Sequence, residues 1–478
     1  MNIELFFIIL ILVFGFYMAW NIGANDVSNA MGTSVGAGAL TLRKAVILAA
    51  IFEFSGAFFL GSNVCETMQK GLIDTDIFLT DPTSYILGMC AVLLATGIWL
   101  QIASYCGWPV STTHAIVGAL VGFGFVAGGP EAIHWEEISS IVFSWVASPG
   151  ISALFAYLLF SVLQKKILYA LNPVEATKKL FPFLMFIVFF VFSLGFLFDG
   201  LESINLSLSF FEISLVSLLI GLLASLISYW LVKKVETPNT YPKPSVSPQN
   251  VVSLEKALKH LQRVQSNSAE TIHRKAALLT EDIKSFLHSV NKETGFSEKN
   301  SEYKTVEKMF VYLQILSACF LAFVHGSNDV ANAIAPVAGA LNVIKNGTIS
   351  QISTVPSWLL AFGGVGIVIG LATWGWKVIE TIGKKITELT PTRGFCAEFS
   401  AAITILFASK LGLPISTTHC VVGAVLGVGL AKGMRALNLN MLKEIVLSWV
   451  ITIPASATMS ILIFYLLKTC FLQFFTGP

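Results

Sequence analysis

The residues of this 478-residue chain that could do chemistry occur in two copies. Gly23-Ala24-Asn25-Asp26-Val27-Ser28-Asn29-Ala30 returns as Gly326-Ser327-Asn328-Asp329-Val330-Ala331-Asn332-Ala333. Pro109-Val110-Ser111-Thr112-Thr113-His114 returns as Pro414-Ile415-Ser416-Thr417-Thr418-His419. Asp26 precedes Ser111 by 85 positions and Asp329 precedes Ser416 by 87, so two motifs recur in one order at one spacing. The oxygens of Asn25, Asp26, Asn29, Asn328, Asp329 and Asn332 are hard ligands suited to Na⁺ or another hard cation. The glycine opening each copy would let backbone carbonyls leave a helix and join them. Helix capping is the plainer role for Asn and Asp, but it does not require Asn29 and Asn332 a turn later.

The second motif suits the opposite charge. A proline breaks or begins a helix, and Ser111, Thr112 and Thr113, like Ser416, Thr417 and Thr418, then fall at free N–H groups and a positive helix end, where an oxyanion can be held without Arg or Lys. Capping and interhelical hydrogen bonding are again the plainer alternatives. One His per motif is no metal site, and His114 and His419 are expected to orient the loop. Glu53 and Glu398 stand within apolar stretches, as cation ligands, proton carriers or protonated hydrogen-bonding groups. They do not align in the repeat.

The elements that must position these groups are membrane helices. The chain is 55% hydrophobic and 12% charged, with a mean hydropathy of +0.76. Twelve apolar stretches near the roughly 20 residues of a crossing are readable, at 3–22, 43–63, 84–106, 110–128, 139–163, 181–200, 212–232, 309–325, 357–379, 394–411, 414–431 and 443–468. The Gly-rich segments 23–40, 110–128 and 326–341 are weak as simple crossings and are expected to be re-entrant or broken. The flank Met1-Asn2-Ile3-Glu4 lacks the basic region of a signal peptide, so the first stretch is expected to remain as a span. The seven cysteines are scattered without C-x-x-C spacing and read as small buried hydrophobes. Basic residues form small clusters rather than a stripe, which argues against nucleic acid.

Charges between stretches alternate. Arg43-Lys44, Lys165-Lys166, Lys233-Lys234, Lys377 and Lys384-Lys385 fall on one side, and Asp74, Glu136-Glu137 and Glu202 on the other. The positive-inside rule then puts both termini outside and the long polar loop in the cytoplasm. Seven crossings separate the two Asp copies, so they enter the membrane in opposite directions, as the inverted repeats of secondary transporters do. The expected organisation is a first repeat at 1–163, an extra pair of spans at 181–232 without counterpart, a hydrophilic loop at 234–308 and a second, inverted repeat at 309–468. The fold class is all-α and polytopic. Pro238, Pro242, Pro244 and Pro248 open the loop, and two amphipathic helices follow, fitting a connector or a regulatory hairpin.

These doubled motifs and the central hydrophilic loop resemble the inorganic phosphate transporter (PiT) family, over both halves. The resemblance implies a non-enzymatic secondary transporter that imports inorganic phosphate with a coupling cation and needs no cofactor. It implies that Asn25, Asp26, Asn328 and Asp329 belong to the cation and phosphate site. Ser111, Thr112, Thr113, Ser416, Thr417 and Thr418 would hold the phosphate, and Glu53 and Glu398 match glutamates essential for transport. Ser28 stands where the pattern usually has Ala, a small residue for a small residue. The expected location is a plasma membrane, the inner one in a bacterium, with a second copy of the chain allowed as partner. Na⁺ suits the Asn and Asp oxygens, while Glu53 and Glu398 would serve protons, and family members of both kinds are known. A sulfate permease is the other substrate reading. An intramembrane aspartyl protease built on Asp26 and Asp329 is the reading from another class, and it leaves Ser-Thr-Thr-His unexplained.

Overall fold

The computed structural model describes residues 3–70, 72–200, 208–236, 248–266, 270–294, 301–346, 355–376, 379, 389–433 and 439–475. Pro238, Pro242, Pro244, Glu202, Lys377, Lys384 and Lys385 lie outside the described residues. The first half contains α1 (Ile3–Gly36), α2 (Leu42–Leu60), α3 (Ser62–Lys70), α4 (Pro82–Cys106), α5 (Thr112–Gly128) and α6 (Trp135–Leu163). Next come α7 (Pro173–Gly200) and α8 (Phe210–Lys233), and then α9 (Pro248–Ser266) and α10 (Glu270–Thr294) in the polar loop. The second half contains α11 (Ser301–Asn346), α12 (Ser357–Thr373), α13 (Pro391–Lys410), α14 (Thr417–Lys432) and α15 (Leu439–Phe475).

Ten of the twelve expected apolar stretches fall on a single one of these helices; 43–63 runs from α2 into α3, and 357–379 extends beyond α12 into residues partly outside the described ones. Seven, namely α1, α4, α6, α7, α8, α11 and α15, are long and apolar enough to cross a membrane, while α5, α12 and α14 are apolar but shorter. The helices α2 and α13, 19 and 20 residues long, carry Glu53 and Glu398.

The inversion of the halves can be read from side-chain pairings. A Cβ on Gly15 would meet Val337, Asp26 lies beside His325 and Asp329, and Thr33 and Ser34 share the carboxylate of Glu398 with Ser317. As the number rises along α1 it falls along α11, so the two helices cross antiparallel with the motif aspartates at the crossing. The result does not depend on how many crossings a hairpin counts for, because a hairpin that returns to its own side leaves the parity unchanged.

Contrary to expectation, the segments 23–36 and 326–341 are neither re-entrant nor broken: α1 and α11 run through both Asn-Asp motifs. The motif glycines serve contact between helices. A Cβ on Gly23 would sit 1.9 Å from the Ile367 carbonyl oxygen of α12, and one on Gly326 2.1 Å from the Glu53 carbonyl oxygen of α2. Gly370 and Gly56 answer from the opposite helices, where an added Cβ would sit 1.9 Å from Trp20 O and 1.8 Å from Phe323 O. Small residues bring membrane helices to backbone contact, and packing there replaces a hydrophobic driving force that hydrocarbon cannot supply.

The breaks lie at the second motif. The α4–α5 hairpin turns on Gly107 (φ 69°) and the α13–α14 turn carries Gly412 (φ 66°), each two residues before the motif proline, a left-handed backbone that favours glycine. Gly88 of α4 faces Phe123 of α5, so the chain doubles back and the turn reaches α1 at Asn25. The halves interlock: a Cβ on Gly118 of α5 would sit 2.7 Å from the Ile453 carbonyl oxygen of α15, and one on Gly423 of α14 2.4 Å from the Pro149 carbonyl oxygen of α6. The pair α7 and α8 packs together and adds α7 to the side of α11. In the loop, α9 and α10 pair through Leu254, Leu258, Ile283 and Leu287.

Gly370→Val drives side-chain carbon into the α1 backbone, and we expect it to cost about 3 kcal/mol or more, with loss of monodisperse protein. Gly150→Ala, on an exposed face with nothing within 4 Å of the new carbon, is expected to shift stability by less than about 0.5 kcal/mol. Thermal denaturation in detergent compares the two.

Candidate functional site

The tips of the two hairpins meet where α1 crosses α11. Thr113 Oγ1 donates to the Ile415 carbonyl at 2.9 Å, and its counterpart Thr418 Oγ1 donates to the Val110 carbonyl at 3.2 Å. The exchange ties each tip to the other with two-fold regularity. The same regularity joins the two motif types. Thr112 Oγ1 donates to Asp26 Oδ2, and Thr417 Oγ1 donates to Asp329 Oδ2 at 2.9 Å.

The asparagines frame this core. Asn29 Nδ2 donates to Thr418 Oγ1 at 2.8 Å and to Asp26 Oδ1 at 3.3 Å. Asn328 Nδ2 donates to Asp329 Oδ1 at 2.8 Å and to Ile415 O at 3.2 Å. Asn25 Nδ2 reaches Ser104 Oγ at 2.9 Å, and Ser409 Oγ reaches Asn328 Oδ1 at 3.4 Å, so α4 and α13 supply matching hydroxyls. Asn332 is also buried, and among the described residues its Nδ2 has no hydrogen-bond partner.

Ser111 and Ser416 act as helix caps, each accepting from the backbone N–H of the His three residues on, at 3.2 Å. Their hydroxyl protons and the first N–H groups of α5 and α14 remain for another acceptor. His114 and His419 pack on each other with ring centroids 4.4 Å apart, and each stacks on a tryptophan, Trp145 at 3.9 Å and Trp449 at 3.5 Å. They hold the α5 and α14 first turns against α6 and α15.

One residue breaks the symmetry. His325 stands where the first repeat has Ile22, with Nε2 2.8 Å from Asp329 Oδ2 and Nδ1 3.4 Å from Glu53 Oε1. One ligand atom from each of Asp26, His325 and Asp329 lies within 4.8 Å of the others. At that spacing two carboxylates in an effective dielectric near 20 repel by roughly 3 kcal/mol. All four side chains, with Glu53, are buried. Such a cluster calls for a compensating positive charge or proton.

Glu398 stands apart. Its Oε1 accepts from Thr33 at 2.5 Å, Ser34 at 2.7 Å and Gln314 at 3.2 Å, and its Oε2 from Ser317 at 2.7 Å. Seven residues along α1 from Asp26 place this second oxygen cluster about 10 Å from the first. Glu53 thus joins the central group and Glu398 does not.

Sequence reasoning passed over His325, Ser104, Ser409, Gln314 and Ser317. His325 had a signal, an intramembrane imidazole one helical turn before Asp329. The serines had none, since a lone Ser in an apolar helix most often satisfies its own backbone.

Convergence of two aspartates alone would also fit a protease dyad, and comparison with known proteins decides between the readings. A profile of the phosphate transporter family matches residues 22–460. A candidate phosphate permease of Chlamydia trachomatis is 46% identical over 97% of this chain and 99% of its own length. The chloroplastic inorganic phosphate transporter 2-1 of Arabidopsis thaliana is 44% identical over 94% of this chain and 70% of its own. A solved structure described as the sodium-dependent phosphate transporter superposes with a TM-score of 0.78 at 34% identity, over 97% of this chain and 99% of that one. The chain is a multi-pass membrane protein and belongs to the phosphate transporter family.

Proposed function

We propose that this protein imports inorganic phosphate in symport with Na⁺, through the site formed by Asp26, Asp329 and the two hairpin tips. The observation that carries the reading is the paired contact of Thr112 with Asp26 and Thr417 with Asp329. It places an anion-type donor on each carboxylate. When a cation takes the carboxylate oxygens, each threonine hydroxyl can turn to a phosphate oxygen, joined by the serine hydroxyls and the free N–H groups of α5 and α14. Phosphate without the cation meets two buried carboxylates and is repelled. Coupling then follows from charge compensation, and alternating access from movement of the interlocked repeats around the site.

Na⁺ is favoured by the all-oxygen donor set of Asn25, Asp26, Asn29, Asn328, Asp329 and Asn332 and by the likeness to a solved sodium-dependent phosphate transporter. The Glu398 cluster, with the hydroxyls of Thr33, Ser34 and Ser317 and the buried Gln314 Oε1 as oxygen ligands, suits a further Na⁺. One observation favours a proton instead: His325 sits between Glu53 and Asp329, where an imidazole can carry a proton between carboxylates. We place the loop in the cytoplasm and both termini outside, on the charge asymmetry.

In proteoliposomes, an inward Na⁺ gradient is expected to drive uptake of labelled phosphate, with sulfate a poor competitor. Uptake driven by a proton gradient and indifferent to Na⁺ would transfer the coupling to His325 and Glu53. Asp26→Asn or Asp329→Asn removes a charge-assisted interaction of about 2–3 kcal/mol and should lower uptake at limiting Na⁺ by about 30- to 150-fold. Unchanged cation dependence in folded variants would refute the site. Thr417→Val should raise the phosphate KM by about tenfold while Thr417→Ser restores it. For Glu398→Gln the expected change is in the Na⁺ dependence of uptake, with phosphate KM at saturating Na⁺ unaltered, and a changed phosphate KM would count against a separate cation site.

A further inference from the structure

We infer that a groove between α7, α8 and α11, remote from the transport site, binds an anionic phospholipid. The cavity has a volume of about 580 Å³ and is walled by Phe181 and Met185 of α7, Val232 and Val235 at the end of α8, and Met309 and Leu316 of α11. Its lining is almost wholly apolar and it opens sideways: Leu231 and Tyr312, at its mouth, are 61% and 68% exposed. In a helix bundle that opening faces hydrocarbon, so an acyl chain is the occupant the walls would accept.

The rim supplies the second half of the recognition. All three helices bring a lysine to the same end of the groove. None of them lines the groove itself: Lys233 and Lys234 lie between the wall residues Val232 and Val235, Lys179 is two positions before Phe181, and Lys308, which precedes Met309, also lines the neighbouring cleft with Lys304 and Glu307. All four are exposed. The acidic side chains nearby are largely committed. Glu175 is paired with Lys178 at 2.9 Å, and Glu307 accepts from the backbone N–H and the hydroxyl of Thr392 at 2.8 and 2.9 Å. Glu236, one residue past Val235, leaves the lysines in excess. Apolar walls with exposed lysines beyond one end match a phospholipid with a negative headgroup, since basic pockets between membrane helices bind such headgroups. A neutral lipid would fill the walls and leave the rim unused. A second copy of the chain would bring its own lysines against these, which disfavours a symmetric dimer here.

The pair α7–α8 has no counterpart in the second half, so the groove occurs once while the transport site is built twice over. An occupant there would brace the extra pair against α11, the helix that carries Asp329.

The test uses the full protein in nanodiscs of phosphatidylcholine with about a fifth phosphatidylglycerol, released into the gas phase for native mass spectrometry. The wild type is expected to retain phosphatidylglycerol enriched at least about fivefold over the bulk mixture. Replacing Lys179, Lys233, Lys234 and Lys308 by Gln should abolish the enrichment and leave neutral lipid retained, and the same four replaced by Arg should keep it. Met185→Trp, which fills the groove, should lose both lipids. Retained lipid that mirrors the bulk mixture would overturn the proposal, as would enrichment unchanged in the Gln variant or a disulfide-linked dimer formed by Leu231→Cys. The Gln and Arg variants change only exposed side chains, so they decide the matter even if Met185→Trp fails to fold.

Discussion

Two carboxylates, Asp26 and Asp329, face each other at the crossing of two antiparallel helices with no water-exposed surface on either. Everything around them answers that constraint. Bare, they would repel each other and forfeit their hydration. The structure surrounds them with the hydroxyls of Thr112 and Thr417, the amides of Asn29 and Asn328, and the imidazole of His325. These neighbours satisfy hydrogen bonds without adding a fixed positive charge of the Lys or Arg kind. The remaining imbalance is what makes a cation a necessary companion for an anionic substrate, and a removable one.

The architecture follows from bringing such a site to the middle of a membrane from both sides. One helix and one hairpin of each repeat must reach the same point in opposite directions. Glycines at the α1–α12 and α2–α11 contacts let four helices approach to backbone distance, and the hairpins stop short there because Gly107 and Gly412 reverse them. Interlocking, α5 with α15 and α14 with α6, means neither half can assemble its site alone. This is the energetic reason the two motif types recur together: an Asp motif without its hairpin tip would leave a buried charge unpaired.

Much of this architecture is legible in the sequence. The doubled Asn-Asp and Ser-Thr-Thr-His strings named the central residues, and the parity of apolar stretches gave their opposed directions. The intramembrane Glu53 and Glu398 were found because a carboxylate in an apolar run is conspicuous. Other features were misread or invisible, for physical reasons. The sequence lets Gly23 and Gly326 read as releasing the backbone, but a glycine that opens a helix and one that lets a helix touch its neighbour look alike in sequence, and only the partner backbones of Ile367 and Glu53 distinguish them. His325 was overlooked because it lies outside the repeated string and has Ile22 as counterpart. The groups around Glu398 come from two helices far apart in the chain, Thr33 and Ser34 on α1 and Gln314 and Ser317 on α11, and no local pattern unites them.

The central claim is that cations must balance the buried carboxylates before phosphate can bind. Calorimetric titration of phosphate into the purified protein, repeated at rising Na⁺ with ionic strength held by choline, tests it most directly. The account predicts no measurable binding without Na⁺ and an affinity that climbs as Na⁺ rises, by the linkage that makes each ligand strengthen the other. A phosphate affinity that is the same at every Na⁺ concentration and every pH would contradict it.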